Sequence, residues 1–453
     1  MINPRQRQVS APIEDGGWSE VSLPTRSSAG APARGAGSVA ISTTVDQVLS
    51  SASNALTVFV LAQVSSAGEF GIIGLLITVV SVCTGFDRGA LGTPLLLTSN
   101  LKDREIVAES TYALTWSLYT GGVGGFLILT LGAVFHQPWI GLAFAIVLPI
   151  VLAQDVLRLT AIALGRPGLA VIADALWAAP MLCVFVANLF GVRESAEFSI
   201  YLWAFSGFVS AGILAFRLRV APHHSRILDW WRTDWPARVR FGSGQAVGQI
   251  GVVFVTLAAV TTAGSVAAAG IRGASALFGP IATLLSALPM VFVPHAVRTG
   301  NSVGDQWRLV SRTSVATSAL TVVATGCLMA VPPRLGAAIL GASWPETLSV
   351  LPYIGVSAAA MCWAVGVSTV FQSRGESRAV FGLIMLLVGL ELATSFAAGL
   401  IFRSAIAIAI SLAFSSSVTA IVGVLWVHRS IHAAVGPSRA RPGSAVNVNG
   451  EEI

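Results

Sequence analysis

Long runs of apolar residues follow one another along the chain, separated by short polar or glycine-rich breaks. Each run has about 20 residues, the length with which an α-helix crosses the apolar part of a bilayer. Backbone polar groups at that depth are satisfied only in helices or closed barrels. The pattern predicts an all-α polytopic membrane protein with about twelve transmembrane helices. The predicted spans are 40–63, 69–91, 110–135, 139–158, 169–190, 199–217, 242–263, 267–293, 313–332, 347–371, 380–402 and 404–427.

One segment occurs twice. AQVSSAGEFGIIGL at residues 62–75 returns as AAVTTAGSVAAAGI at residues 258–271, so that Ala62 aligns with Ala258. Each copy joins two apolar runs, and internal repeats of this kind are typical of secondary transporters. The sequence therefore predicts two six-helix lobes related by an internal repeat. The predicted units are a disordered cytoplasmic tail (1–37), the first lobe (38–217), a cytoplasmic interfacial linker (218–240), the second lobe (241–430) and a second disordered cytoplasmic tail (431–453).

Composition and charge support this picture. Of 453 residues 54% are hydrophobic and 11% charged, which excludes a soluble globule. The net charge of +6 could suggest nucleic acid, but the arginines and lysines concentrate in loops on the side of the two termini. The opposite side has only Arg193, Arg334 and Arg403. The positive-inside rule then predicts a multi-pass protein of the cell membrane with both termini cytoplasmic.

The predicted linker interleaves arginines with Trp230, Trp231 and Trp235. Beside a membrane, such a segment is expected at the lipid headgroups, with guanidinium groups on anionic lipid. We therefore expect membrane lipids as partners, and no nucleic acid. No nucleophile elbow, phosphate-binding glycine loop or metal-ligand cluster is present in the sequence, so we expect no enzyme activity, no metal and no cofactor.

Polar residues inside predicted spans indicate where function lies, because each costs free energy unless it meets protein, water or ligand. The first span and its counterpart in the second half each have a polar stripe at helical spacing. The stripes could face each other across a central cavity, or they could bond helices together. The first contains Asp46, Ser50, Ser53, Asn54 and Thr57, and the second Gln245, Gln249 and Thr256.

Two charged residues lie deeper in the spans. Arg272 is about 8 Å along the eighth span at 1.5 Å per residue. In the alignment of the two halves its counterpart is the apolar Leu76. A guanidinium stays charged and must meet water, a carboxylate or an anionic ligand. We expect Arg272 either to contact substrate or to pair with Glu391 or Asp46. Glu391, in the middle of the eleventh span, could couple transport to protons or could be a neutral acid bonded to a neighbouring helix.

Three segments make the chain similar to a known family. VSSAGEFGIIGLLITV at 64–79 looks like a first hairpin, AGIRGASALFGPIATLLSALPMVFVPHAVR at 269–298 like an eighth helix with an arginine one turn in, and WWRTDWPARVRFGSGQAVGQ at 230–249 like the entry to a second lobe. In these patterns the chain resembles the polysaccharide transporters of the multidrug/oligosaccharidyl-lipid/polysaccharide exporter superfamily, over about residues 40–430.

The resemblance implies alternating access between two six-helix lobes. It also implies a cargo of polyprenyl-diphosphate-linked oligosaccharide, with glycan-assembly enzymes as possible partners. The related lipid II flippases gather several basic residues in the cavity, whereas here only Arg272 lies well within a span. Recognition of the diphosphate would then also rest on helix dipoles and on Arg88 and Arg158.

Two other functions compete with a flippase. An ion-coupled multidrug exporter would use Asp46 as its cation or proton site, although a buried guanidinium at Arg272 repels cations. A membrane-embedded glycan polymerase or glycosyltransferase would need acid and base groups on the outer loops, where Glu194, Glu197 and Glu346 are scattered. The sequence favours the flippase, with Arg272, Asp46, Asn54, Gln245 and Gln249 as cavity candidates and Glu391 as the coupling candidate.

Overall fold

The computed structural model describes residues 52–97, 102–192, 194–299 and 302–435, together with Leu49. All regular secondary structure in these ranges is helical, which confirms the predicted class. Pro333–Leu340 forms a short helix, named here the hairpin helix. The main helices are Ala52–Val64 (α1), Ala67–Leu96 (α2), Asp103–Val134 (α3), Pro138–Ala163 (α4), Pro167–Leu189 (α5), Ala196–Leu218 (α6), Ile227–Ala263 (α7), Ser265–Leu277 (α8a), Gly279–Thr299 (α8b), Val303–Met329 (α9), Trp344–Ser373 (α10), Ser377–Phe402 (α11) and Ala405–Val435 (α12).

By length and composition, nine helices in the described ranges can cross a membrane, or ten if the bent pair α8a and α8b counts as one span. The other two predicted spans are α1, which is described only over Ala52–Val64, and α9, which is rich in serine and threonine. The α9 hydroxyls of Thr317, Thr321 and Thr325 donate to carbonyls one turn earlier, so their polarity is satisfied within the helix. Twelve helical segments thus match the twelve predicted spans.

The two lobes repeat one packing pattern. In the first, α4 lies at the centre and packs on α2, α3, α5 and α6. In the second, α10 takes the same place among α8a, α8b, α9, α11 and α12. The turn after each central helix passes through a glycine with positive φ, Gly165 at 69° and Gly375 at 72°. The repeat seen in sequence at one hairpin therefore extends through both lobes.

The helix starts at the two copies of the repeat are out of register. Ser66 caps α2, with its hydroxyl accepting from the Glu69 backbone N–H and the Glu69 carboxylate accepting from the Ser66 backbone N–H. In the second copy α7 ends in a π-helical turn, Ala259–Ala263, and α8a begins after Gly264. The sequence repeat aligns Ser66 with Thr262, so the cap falls two residues later than the alignment places it.

Close backbone packing joins the lobes along α2. A Cβ added at Gly71 would lie 1.8 Å from the Ser265 carbonyl oxygen, and one added at Gly89 would lie 2.2 Å from the Phe241 carbonyl oxygen. Helix α2 of the first lobe therefore contacts α8a near one end and α7 near the other. Only residues without a side chain allow such an approach.

The predicted interfacial linker is largely helical and docked on protein. Helix α7 begins at Ile227, with non-helical φ and ψ at Asp234, just before Pro236. Trp230 stacks on Tyr112 of α3, with ring centroids 5.7 Å apart, and Trp231 stacks on Trp116. These two indole rings pack against α3, and the position of the segment at the lipid headgroups stays a prediction. Trp235 is exposed, as expected for a ring at the lipid headgroups.

The predicted tails lie mostly outside the described residues, as does Asp46. At the other end, α12 continues to Val435, so the second lobe extends five residues into the predicted tail 431–453.

Candidate functional site: a polar cavity between the lobes

A cavity of about 300 Å³ lies where α1, α2, α4, α5 and α6 of the first lobe meet α7 and α8a of the second. Its walls combine amides, two guanidinium groups, one carboxylate and two indole rings. The polar and aromatic lining residues are Asn54, Thr57, Ser81, Thr84, Arg88, Gln154, Asp155, Trp177, Trp203, Gln245, Gln249 and Arg272.

Four of the residues predicted for a site line this one cavity: Asn54, Gln245, Gln249 and Arg272. They come from α1, α7 and α8a, so Asn54 of the first predicted stripe and Gln245 and Gln249 of the second share one cavity. Asp46 and Ser50 of the first stripe lie outside the described residues, and Ser53 and Thr256 do not line the cavity. A role in substrate binding for the four predicted residues that line it stays a prediction, as does any role for Asp46.

Arg272 is the least satisfied charge in the cavity. Its Nε is buried and forms no hydrogen bond, and within the described ranges no carboxylate lies within 4.0 Å of its nitrogens. The predicted pairing with Glu391 is therefore absent. The arginine stem packs on Gly74 of α2, where an added Cβ would lie 3.0 Å from Arg272 Cγ. Gly74 is thus a neighbour of Arg272 across the lobe interface.

A second guanidinium reaches the cavity from α2. Arg88 begins a π-helical turn, Arg88–Gly92, and donates from Nε and Nη2 to both carboxylate oxygens of Asp155, each at 2.8 Å. This fork geometry is the strongest form of arginine–carboxylate contact. Asp155 and its second partner Arg158 are both buried, so this ion pair joins the cavity wall to charged groups inside the first lobe.

Further charged residues extend the Arg88–Asp155 ion pair into a buried network. Arg158 lies 3.2 Å from Asp155 and 3.3 Å from Asp174 of α5, and the Gln154 amide donates to Asp174 at 2.7 Å. Asp155, Arg158 and Asp174 are all buried. Of these charged residues, Arg88 and Asp155 line the cavity. Arg158 does not line it, so its position does not fit the expected direct role in recognition of the diphosphate.

Next to this network, Asp87 is buried and accepts hydrogen bonds from the Thr120 hydroxyl at 3.1 and 3.0 Å. It does not line the cavity. Trp177 and Trp203, which do line the cavity, are stacked with centroids 5.6 Å apart, and Trp177 Nε1 donates to the Trp203 carbonyl. Nothing in the spacing of these two tryptophans along the chain indicates that they meet.

Glu391 lies outside the cavity. Its carboxylate faces α7 at Gly251, where an added Cβ would lie 2.8 Å from Oε2. Thr394 and Ser395, about one turn further along α11, contact Ser415 and Ser411 of α12 at 3.0 Å each. The carboxylate itself forms no ion pair with a described residue within 4.0 Å.

One end of the lobe interface is closed by an amide relay. Gln63 of α1 donates to the Ala338 carbonyl of the hairpin helix at 2.6 Å, and Asn188 of α5 donates to Gln63 Oε1 at 3.0 Å. Gly341, with φ of 57°, packs on the Ala62 carbonyl at a distance that leaves no room for a Cβ. The hairpin helix of the second lobe thus covers the end of α1.

Solved structures share this architecture. An inward-facing conformation of a multidrug resistance MATE family transporter of the MOP superfamily has a TM-score of 0.68 and 14% identity over 88% of this chain and 99% of that chain. An outward-facing conformation of such a transporter has a TM-score of 0.54 and 15% identity over 88% and 96%. A MOP superfamily transporter from Pyrococcus furiosus, described as having a binding pocket of reverse polarity that suggests a different function, has a TM-score of 0.50 and 16% identity over 87% and 96%.

No protein-family model and no curated protein sequence matches the chain. At these identities the likeness is one of fold. The protein is an integral membrane protein with the two-lobed fold of the MATE transporters of the MOP superfamily.

Proposed function

We propose that the protein is a transporter that works by alternating access and moves a polyprenyl-diphosphate-linked oligosaccharide, or a related glycolipid, from the inner to the outer leaflet. The observation that carries this proposal is Arg272, a charged side chain with a buried, unbonded Nε at a cavity between the lobes. Such a group calls for an anionic ligand, and the guanidinium fork fits phosphate oxygens in a bidentate manner.

The rest of the lining supports a glycan next to the phosphate. Asn54, Gln154, Gln245 and Gln249 carry amides that both donate and accept, as sugar hydroxyls require. The indole rings of Trp177 and Trp203 offer flat apolar surfaces in the same cavity. Amides and aromatic rings around a guanidinium suit a cargo with a sugar head and a phosphate.

An ion-coupled multidrug exporter is the second candidate, because the structural neighbours include multidrug resistance transporters. The cavity charge opposes a cationic drug. Asp155 is the lining carboxylate, and two guanidinium groups hold it at 2.8 and 3.2 Å. The neighbour with a pocket of reverse polarity indicates that this fold accommodates pockets of more than one polarity. A glycan polymerase or glycosyltransferase is less favoured, because the described part of the cavity lining has one carboxylate, Asp155, and it is paired with arginine.

The proposal places the protein in the cell membrane with both termini cytoplasmic and with glycan-assembly enzymes as partners. Thr233 of α7 and Arg334 of the hairpin helix, both exposed, lie in segments predicted for opposite faces of the membrane. In a variant without the native cysteines, Thr233→Cys should resist a membrane-impermeant maleimide on intact cells and Arg334→Cys should react. External labelling of Thr233→Cys would contradict the orientation.

The cargo class is tested by two transport assays on one reconstituted preparation. Proteoliposomes receive either a fluorescent short-chain polyprenyl-diphosphate oligosaccharide or a lipophilic cationic dye. We expect movement of the glycolipid between leaflets above the rate of protein-free vesicles, and no accelerated movement of the dye. Transport of the dye alone would favour the multidrug exporter and reject the flippase.

A further inference from the structure

The ion pair at the cavity wall joins an accessible cation to a buried anion. The Arg88 side chain is 36% exposed, whereas that of Asp155 is 7% exposed. The guanidinium therefore reaches the cavity, while the carboxylate lies largely behind it.

Asp155 has a second cation, which is buried more deeply. Arg158, with its side chain 3% exposed, lies 3.2 Å from Asp155 and is held from the other side by Asp174. Breaking a buried ion pair is costly mainly because it leaves one charge uncompensated. Here the loss of Arg88 would leave Asp155 in contact with Arg158, which it shares with Asp174, so Arg88 can change partners without leaving the carboxylate without a cation.

We infer that Arg88 exchanges partners during transport: it leaves Asp155 to bind the phosphate group of the cargo, while Asp155 stays paired with Arg158. This inference rests on the proposed anionic cargo. Arg88 and Arg272 then bind the phosphate from the two lobes, because both line the same cavity from α2 and α8a. Arg158 and Asp174 are positioning residues that make the exchange possible.

The packing around Arg88 assigns the movement to its side chain. Gly85 and Gly89 of α2 lie against the α7 backbone, where added Cβ atoms would lie 3.3 Å from the Gln245 carbonyl oxygen and 2.2 Å from the Phe241 carbonyl oxygen. The helix cannot slide without breaking this contact. A rotamer change of the long arginine side chain needs no such shift.

The charged neighbours are compatible with an incoming anion. Asp155 faces Arg88 from α4 and Arg272 lines the cavity from α8a, whereas Asp87 on α2 lies outside the cavity against Thr120. Cargo phosphate therefore competes with one carboxylate for Arg88. An arginine fork serves phosphate and carboxylate with the same geometry, so the two can replace each other.

The exchange predicts that substitutions of Arg88 and of Asp155 change the affinity for the cargo in opposite directions. Binding of a short-chain polyprenyl diphosphate to full-length protein in nanodiscs is measured by calorimetry, with inorganic diphosphate as a second probe. Arg88→Gln should weaken binding at least tenfold at an unchanged melting temperature. Asp155→Asn should tighten binding about three- to tenfold, because it removes the competitor for Arg88. The exposed pair of Arg374 and Glu376 provides the matched control, and Arg374→Gln should leave binding unchanged.

Three results would overturn the exchange: wild-type affinity in Arg88→Gln, no tightening in Asp155→Asn, or a purely structural effect in which Arg88→Gln unfolds and Arg88→Lys restores stability without restoring binding. If Asp155→Asn does not fold, Arg88→Gln and Arg88→Lys decide alone, and the lysine variant must retain part of the affinity. If only inorganic diphosphate binds, the site serves a free anion and the inference fails for a lipid-linked one.

These outcomes separate the exchange from the proposed function. If wild-type protein binds neither probe saturably, the anionic cargo itself is rejected. If wild-type protein binds and Arg272→Ala weakens binding, while the Arg88 and Asp155 variants change nothing, the anionic cargo stands and the exchange alone is wrong.

Discussion

The stem of Arg272 crosses helix α2 at Gly74, where an added Cβ would lie 3.0 Å from Arg272 Cγ and 3.2 Å from its Cβ. The absence of a side chain at Gly74 lets an arginine of the second lobe pass over a helix of the first. Arg272 thereby reaches a cavity whose other walls belong mainly to the first lobe. The position of its guanidinium therefore depends on the packing between the lobes.

Gly74→Val should displace the arginine. Two methyl groups would occupy the space of the Arg272 stem, so the guanidinium must shift although the charge is kept. We expect transport of the lipid-linked oligosaccharide to fall about tenfold, equivalent to about 1.4 kcal/mol, in proteoliposomes with equal protein content. The matched control is Gly122→Val in α3, where an added Cβ meets nothing within 4 Å. Equal transport rates for the two variants would show that transport does not depend on the position of the Arg272 guanidinium.

Gly71→Ala should destabilise the protein by disturbing the contact between α2 and α8a. Its Cβ would lie 1.8 Å from the Ser265 carbonyl oxygen, and backbone cannot move aside as a flexible side chain can. Overpacking of this kind costs about 1–3 kcal/mol. A lower melting temperature in detergent is expected, with Gly212→Ala in α6, whose added Cβ meets no atom within 4 Å, unchanged. An unaltered melting temperature in Gly71→Ala would mean that the helices do not approach this closely.

Gln63→Leu should open the end of the cavity that is predicted to face outward. The substitution leaves the Asn188 amide and the Ala338 carbonyl without their buried partner, at a cost of about 1–3 kcal/mol. Asn54→Cys, which lines the cavity, should then react about fivefold faster or more with a membrane-impermeant maleimide added outside, in a background without native cysteines.

The control for this closure is Gln137→Leu. Gln137 precedes α4 on the same side, and its side chain makes no capping hydrogen bond. Labelling should stay at the rate of the parent protein. Faster labelling in both variants would indicate a general loosening, and no change in Gln63→Leu would remove the amide relay as a closure.

Glu391→Gln tests the coupling candidate. A carboxylate that faces apolar helices at membrane depth is a candidate proton carrier. If it couples transport, the glutamine variant should lose stimulation by a pH gradient and keep the rate measured without a gradient. The control is Glu376→Gln, which changes an exposed pair with Arg374. Full gradient stimulation in Glu391→Gln would leave Glu391 a structural residue at the contact of α11 with α7.

The sequence predicts those parts of the cavity that follow from periodicity along one helix. Asn54 lies on the polar stripe of α1, Gln245 and Gln249 on that of α7, and Arg272 is a charge inside an apolar span, so each is visible without knowledge of its neighbours. The fold class and the repeat follow in the same way from run length and local similarity.

Contacts between distant segments could not be read from the chain. Arg88 and Asp155 are 67 residues apart, and nothing local indicates that α2 and α4 bring them together. The same holds for the stacked Trp177 and Trp203. Interleaved arginine and tryptophan are typical of a membrane surface, and this pattern predicts contact of Trp230 with lipid. It does not indicate that Trp230 stacks on Tyr112 of α3, which is more than a hundred residues away in the chain.

The central claim, that Arg272 binds an anionic part of the cargo, is tested most directly by the initial rate of translocation of a fluorescent polyprenyl-diphosphate oligosaccharide in proteoliposomes. Arg272→Ala should reduce this rate about a hundredfold, since charge-assisted contacts with phosphate contribute on the order of 3 kcal/mol. Its melting temperature should equal or exceed that of wild type, because the variant removes a buried charge that has no carboxylate partner among the described residues. Arg272→Lys should keep an intermediate rate, because an ammonium group still attracts phosphate. A wild-type rate in Arg272→Ala, or its failure to fold, would contradict the account.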